Sequence, residues 1–255
     1  VVCEHDTASA YLSSPLTDDC VLISCGTWAL IGTELEHCVI TKESYQANLA
    51  NEGGFIGHHR LLRNVMSSWF IQETKRYYKE HGQDYNFSQL GEFAKSATPF
   101  QFLFDPDDNR FYSPGNIPQK IQSYCLEHYK KQPKTVGEII RCIYESLAMK
   151  FRWTIEQLEQ ASHKKLSVIN MMGGGSKAEM LCQFTANACS KKVIAGPEEA
   201  TAIGNITVQL IATGQATNLE EAKNIMSPVI KTKEYFPLQT DIWEQQYQHY
   251  LNLLQ

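Results

Sequence analysis

The chain has 255 residues, 43% of them hydrophobic and 20% charged, which describes an ordinary globule with enough length to bury a sizeable core. A net charge of −5 with no basic block argues against a nucleic-acid partner. No apolar run approaches the ~18 residues of a membrane-spanning helix, so no membrane partner is expected.

The opening residues lack the basic and apolar regions of a secretion signal. The start without Met, in strand-like sequence, reads as if a preceding segment had been removed. Eight cysteines, at 3, 20, 25, 38, 125, 142, 182 and 189, form no C-x-x-C pair, and no histidine cluster completes a zinc site. Apolar neighbours around most of them suit reduced core thiols and a cytoplasmic protein. Cys125 and Cys142 fall on successive predicted helices, where they can face each other as two buried thiols or as a bonded pair.

Val1 to Cys3, Ala10-Tyr11-Leu12 and Cys20 to Ser24 read as β structure. Cys25-Gly26-Thr27 turns into a second apolar run from Trp28 to Ile31, the spacing of an antiparallel hairpin, and Cys38-Val39-Ile40 adds another. Asn51 to His59 has three glycines within five residues and reads as a loop. Leu61, Leu62, Val65, Met66, Trp69 and Phe70 recur at helical spacing, so a helix is expected from Leu61 to a C-cap at Gly82.

Shorter helices follow near Phe87 to Ala97 and Ile117 to Lys131. Thr135-Val136-Gly137-Glu138 is a capping box, and it opens a long helix to about Ser162 with Ile139, Ile143, Leu147, Phe151, Ile155 and Leu158 on one face. The stretch Leu166 to Met172 then runs straight into Gly173-Gly174-Gly175. A helix from Lys177 to Cys189, a strand Lys192 to Ala195, a helix from Pro197 to Gly214 and a last helix from about Asp241 complete the pattern. This order predicts one α/β domain over 1–255, with a mixed sheet flanked by helices.

Consecutive glycines at a strand's C-terminal end let a flat ligand lie on the backbone, and the amides that open the next helix can face a phosphate. A plain tight turn is the other reading. Neither a Walker loop nor G-x-G-x-x-G is present. His5-Asp6-Thr7 at a predicted strand tip offers a carboxylate as general base or, equally, a turn residue. A hydrolase using Ser9 or Ser24 is a further option, without a G-x-S-x-G elbow to support it. Ser24-Cys25-Gly26-Thr27-Trp28 can hold phosphate oxygens on amides and the Thr27 hydroxyl, or be an unliganded turn. Asn64 and Gln72, eight apart on one predicted helix, would project to the same side.

Together, His5-Asp6-Thr7-Ala8-Ser9-Ala10, Ser24-Cys25-Gly26-Thr27-Trp28, Asn51-Glu52-Gly53-Gly54, Gly173-Gly174-Gly175 and Ala195-Gly196-Pro197-Glu198-Glu199-Ala200 resemble the C-terminal half of the rhamnulokinase branch of the FGGY sugar kinase family. The resemblance runs in order from Val1 to about Gly214. It implies an RNase H-like domain of the actin-like ATPase superfamily, using ATP and Mg²⁺. By the same resemblance Asp6 is the catalytic base, and His5, Thr7 and Asn64 contact the sugar. Thr27, Gln72 and Gly174 contact the nucleotide. L-Rhamnulose is the substrate the resemblance points to, with xylulose, fuculose or glycerol, or a non-catalytic sugar- or ATP-responsive module, as alternatives. Family members carry a second, N-terminal domain that this sequence does not contain, so the chain by itself is expected to be inactive.

Overall fold

The computed structural model describes residues 5–15 and 19–254. The expected strand over Val1 to Cys3, and the thiol of Cys3, lie outside them.

The chain opens with helix α1 (Asp6–Leu12), followed by strands β1 (Cys20–Cys25) and β2 (Trp28–Leu35). A one-turn helix α2 (Lys42–Gln46) leads to β3 (Ala50–Gly53) and β4 (His59–Met66). Helices α3 (Ser68–Glu80), α4 (Phe87–Ser96), α5 (Ile117–Tyr129) and α6 (Val136–Ser162) come next. Then β5 (Val168–Met172), α7 (Glu179–Cys189), β6 (Lys192–Ala195) and α8 (Ala200–Ala212) alternate. The chain closes with α9 (Leu219–Met226), β7 (Lys233–Tyr235) and α10 (Thr240–Leu253).

The seven strands form one mixed sheet in the order β3-β4-β2-β1-β5-β6-β7. Its centre is parallel, β1 against β5 and β5 against β6, while β1–β2, β2–β4, β3–β4 and β6–β7 are antiparallel. The mixed α/β architecture expected from the sequence is therefore present. Side chains alternate between the two faces. Val21, Ile23, Ile31, Leu61, Val65, Ile169 and Met171 point into the main core with Ile143, Leu147 and Phe151 of α6. On the other face Leu22 and Met172 pack with Ala10 and Tyr11 of α1 and Ala200 of α8. Fully burying each such aliphatic or aromatic side chain contributes about 1.5–3 kcal/mol.

Three sequence expectations are corrected. Ala10-Tyr11-Leu12 is helical, because the residues from Asp6 onward wind into α1 with the acidic Asp6 in its first turn. Leu61 to Met66 is strand, not helix. All eight residues of β4 pair with β2, and Leu61 and Leu62 are both buried because the strand is covered on each side. An apolar pair at each turn of a helix and a doubly buried strand look alike over six residues. Cys38 to Ile40 is not a strand, since Asn51 bridges both backbone groups of Val39 through Nδ2 and Oδ1 and holds the segment as a loop. The expected loop over Asn51 to His59 is half right, its first three residues belonging to β3.

The long helix α6 keeps its predicted cap: Thr135 Oγ1 accepts from the Glu138 amide at 3.2 Å and Glu138 accepts from the Thr135 amide at 2.8 Å. Cys125 and Cys142 face each other as free buried thiols, and burial pushes the Cys142 thiol well above its usual range.

Candidate nucleotide cleft and the acidic helix start

Because β1 and β5 are parallel neighbours with Ser24 opposite Met172, the turns that follow them lie side by side. Cys25-Gly26-Thr27 leaves β1 and Gly173-Gly174-Gly175 leaves β5. Gly173 needs its positive φ of 80° to make the turn. A Cβ on Gly175 would strike the Cys25 side chain, and one on Gly173 would come within 3.1 Å of the Cys25 carbonyl oxygen. A Cβ on Gly174 would meet nothing within 4 Å, so this middle glycine faces open space.

Buried Asn170 supports the turn from below, donating to the carbonyls of Ile194 at 2.8 Å and Gly196 at 2.7 Å. The Gly173 amide in turn donates to the Pro197 carbonyl at 3.0 Å. Both glycine turns singled out in the sequence are thereby tied together.

The two turns floor a cleft of about 840 Å³. Gly26, Thr27, Ser68 and Gln72 line it at one side, and Gly174, Gly175 and Lys177 at another. Phe87, Gly91 and Lys95 of α4, Tyr144 and Leu147 of α6, and Glu179 to Leu181 of α7 complete it. The structure thus gathers Thr27, Gln72 and Gly174 in one cavity. The amides of Ser68 and Trp69 at the start of α3 are already taken by the carbonyls of Gly26 and Thr27. The Thr27 side chain, exposed at the mouth, is the polar group this turn offers. Thiols near the floor are packing groups: burial pushes Cys25 up, and Cys182 up to about 12.

The other four candidates lie elsewhere. Asp6 is exposed in the first turn of α1, and the Thr201 hydroxyl of α8 donates to its carbonyl at 3.2 Å. His5 precedes it and lines a second groove of about 560 Å³ with Gly53, Gly54 and Arg60. Thr7 is only 5% exposed, packed within the fold. Asn64 sits on β4 opposite Leu30, not on a helix with Gln72, so the expected shared helix face is overturned. It is exposed on the same sheet face as Leu62, two residues before it. Ser9, weighed as a hydrolase nucleophile, is fully buried, and its hydroxyl has no partner among the described residues, so no base activates it.

The α4 and α6 contributions to the cleft went unread in the sequence. The signal for α4 was a glycine in the middle of an otherwise regular amphipathic helix.

The sequence profile of the C-terminal domain of the FGGY family of carbohydrate kinases matches residues 21–213. The chain belongs to that family. Similar FGGY proteins include the rhamnulokinase of Bacteroides thetaiotaomicron, 38% identical over 98% of this chain and 51% of its own length. The rhamnulokinase of Bacillus subtilis is 38% identical over 94% of this chain and 49% of its length. The chain thus spans about half the length of the curated relatives it matches. Among solved FGGY structures, a gluconate kinase from Lactobacillus acidophilus superposes with a TM-score of 0.72 at 15% identity, over 97% of this chain and 49% of the other. A glycerol kinase from Plasmodium falciparum with ADP gives 0.70 at 12%, over 98% and 49%. These two share the fold. Among the described residues no helix is long and apolar enough to cross a membrane.

Proposed function

We propose that this chain is the nucleotide-binding half of an ATP-dependent sugar kinase, a single C-terminal-type domain over 1–255 that works with an N-terminal domain in the cytoplasm. The observation that carries this reading is the single cleft that gathers Thr27, Gln72 and Gly174 over two glycine turns. Its open Gly174 leaves room for a ligand directly on the backbone. Likeness to rhamnulokinases at 38% identity supports L-rhamnulose as the sugar; in this reading its 1-hydroxyl is the acceptor.

In this reading Thr27 and Gln72 orient the triphosphate and Gly174 lies against the nucleoside. His5, Thr7 and Asn64 stand on the sugar side, with Asp6 as the general base. Asp6 takes the proton of the attacking hydroxyl as that oxygen bonds to the γ-phosphorus and the bond to the β-phosphate oxygen breaks. The proton ends on the carboxylate, and ADP leaves with the displaced electron pair. Exposure of Asp6 at the end of a rigid, packed helix suits a base that must meet a second substrate.

Mg²⁺ accepts hard oxygen donors and keeps several waters, so the nucleotide phosphates would hold it, leaving the Asp6 carboxylate free as the base. Among the described residues no three His, Cys, Asp or Glu side chains converge on a metal-sized site. When bound, the ion neutralises charge on the transferring phosphoryl group.

The test is ADP release by the intact protein with L-rhamnulose, L-fuculose, D-xylulose and glycerol in parallel. Highest kcat/KM for L-rhamnulose is expected. Preference for another of the four would overturn the substrate, and no ATP turnover with any of them would overturn the kinase reading.

A further inference from the structure

Strand β5 lies between β1 and β6 with helices packed on both faces, and its sequence is apolar except at Asn170. The Asn170 side chain is fully buried, on the face of the sheet where Met172 packs with α1 and α8. Its Oδ1 has no hydrogen-bond partner among the described residues. A buried acceptor left unmade is destabilising, so packing alone does not account for an amide here. What the amide does is done by Nδ2, which donates to the carbonyls of Ile194 at 2.8 Å and Gly196 at 2.7 Å.

Those two carbonyls flank Ala195, the last residue of β6, so the bonds hold the turn from β6 into α8. Two backbone bonds complete the joint, from the Gly196 amide to the Met171 carbonyl at 2.7 Å and from the Gly173 amide to the Pro197 carbonyl at 3.0 Å. On one side of the joint is the turn that carries Gly174. On the other is α8, whose first residue, Ala200, packs with Ala10 and Tyr11 of α1. The next residue, Thr201, donates its hydroxyl to the Asp6 carbonyl at 3.2 Å, and Gly204 lets α8 approach the Ser9 carbonyl. The glycine turn and the helix that carries the Asp6 carboxylate therefore share one anchor.

Building on the kinase reading, in which Gly174 meets the nucleotide and Asp6 is the base, we propose that Asn170 is a positioning residue for Asp6. Fully buried, it touches neither substrate. By fixing the β6–α8 turn against the glycine turn, it sets where α1 holds the carboxylate relative to a nucleotide lying on Gly174. In-line phosphoryl transfer depends on such spacing, and a displacement of about 1 Å costs on the order of 10²-fold in rate.

Steady-state kinetics of the intact protein with sugar and ATP test this, using Asn170→Leu, Asn170→Ala and Thr201→Val, each alone and combined with Asp6→Asn. Asn170→Leu keeps the branching of the side chain and Asn170→Ala leaves space, so each guards against misfolding of the other, and both remove the two donated bonds. In either, kcat should fall by about 10²-fold while the KM values for ATP and sugar stay within about twofold. Thr201→Val cuts only the link to Asp6 and should lower kcat by about fivefold, the scale of one hydrogen bond. With Asp6→Asn present, none of the three should lower the residual kcat further, because an absent base cannot be misplaced. A residue that served only the sheet would lower the Tm and leave kcat alone, or would cost the same with and without Asp6, and either result would overturn the proposal. So would an unchanged kcat in Thr201→Val, whatever the Asn170 variants do. Normal kcat in Asp6→Asn alone would instead overturn the base assignment on which the proposal rests.

Discussion

The carbonyl oxygen of Ser9 stands where a side chain on Gly204 would begin. Helix α1 therefore rests on α8 backbone to backbone, and Thr201 adds a hydrogen bond to the Asp6 carbonyl at 3.2 Å. The exposed carboxylate of Asp6 is thus carried on a helix held from behind, with Ser9, Ala10 and Tyr11 all buried.

Gly204→Ala should accordingly destabilise the protein, although alanine favours helices. Overpacking of a close contact costs about 1–3 kcal/mol. A lowered Tm is expected, with activity reduced through displacement of α1. An unchanged or raised Tm would show that the α1–α8 contact yields without cost.

Gly174 and Gly175 are adjacent but should behave in opposite ways. Gly175→Ala drives a Cβ into Cys25, so the Tm should drop. Gly174→Val enters open space, so the Tm should hold while the KM for ATP rises far more than the KM for the sugar. The pair of variants is read by thermal melts and steady-state kinetics. Equal rises in both KM values for Gly174→Val would remove its assignment to the nucleotide.

Glu145 gives a pH prediction. It is 1% exposed on α6, and burial pushes its carboxyl from 4.5 up to about 7, against the opposing pull of Arg141 Nε at 2.7 Å and the Phe100 amide at 2.9 Å. Between these two values the folded chain retains a proton that the unfolded chain has released. The contribution of this group to stability is therefore full below about pH 4.5, declines as pH rises, and levels off above about 7. The whole effect is no more than about 3 kcal/mol. Melting curves across that range should show Glu145→Gln losing this downward slope relative to wild type. Parallel Tm profiles for the two proteins would refute the shift.

Much of this was legible in the sequence where local chemistry and tertiary structure agree. The capping box at Thr135 and Glu138 marked the start of α6, and the glycines after Met172 marked the turn that floors the cleft. The six residues from Leu61 to Met66 were misread because burial on both faces of a central strand erases the alternation that distinguishes strand from helix. Helix α1 was missed because Ala10-Tyr11-Leu12 is apolar all round, buried between the sheet and α8. Strand β7 has only the residues Lys-Glu-Tyr, and its pairing with β6 is what makes it a strand. In the site, Thr27 and Gly174 stood out by their turns. Gln72 and Asn64 came through family resemblance, since a single polar residue carries no local signature. Gly91 and Tyr144 depend on which helix faces wall the cleft, and only tertiary packing decides that.

Asp6 carries the chemical proposal, and one substitution isolates it. Asn keeps the shape of Asp but takes no proton at neutral pH. In the intact protein, Asp6→Asn should lower kcat by about 10²–10⁴-fold, the usual contribution of a general base. The substitution also removes a negative charge from the first turn of α1, where it favours the helix by about 0.3–1 kcal/mol, so only a small fall in Tm should accompany it. ATP affinity should be unchanged, because Asp6 is not among the residues that line the cleft. A residue that served only the helix start would tolerate Asn, a good N-terminal residue, and leave kcat within a few-fold. Steady-state kinetics, with calorimetry for ATP and a melting curve on the same preparation, separate the two roles. Near-normal kcat with normal ATP binding would remove Asp6 from the mechanism.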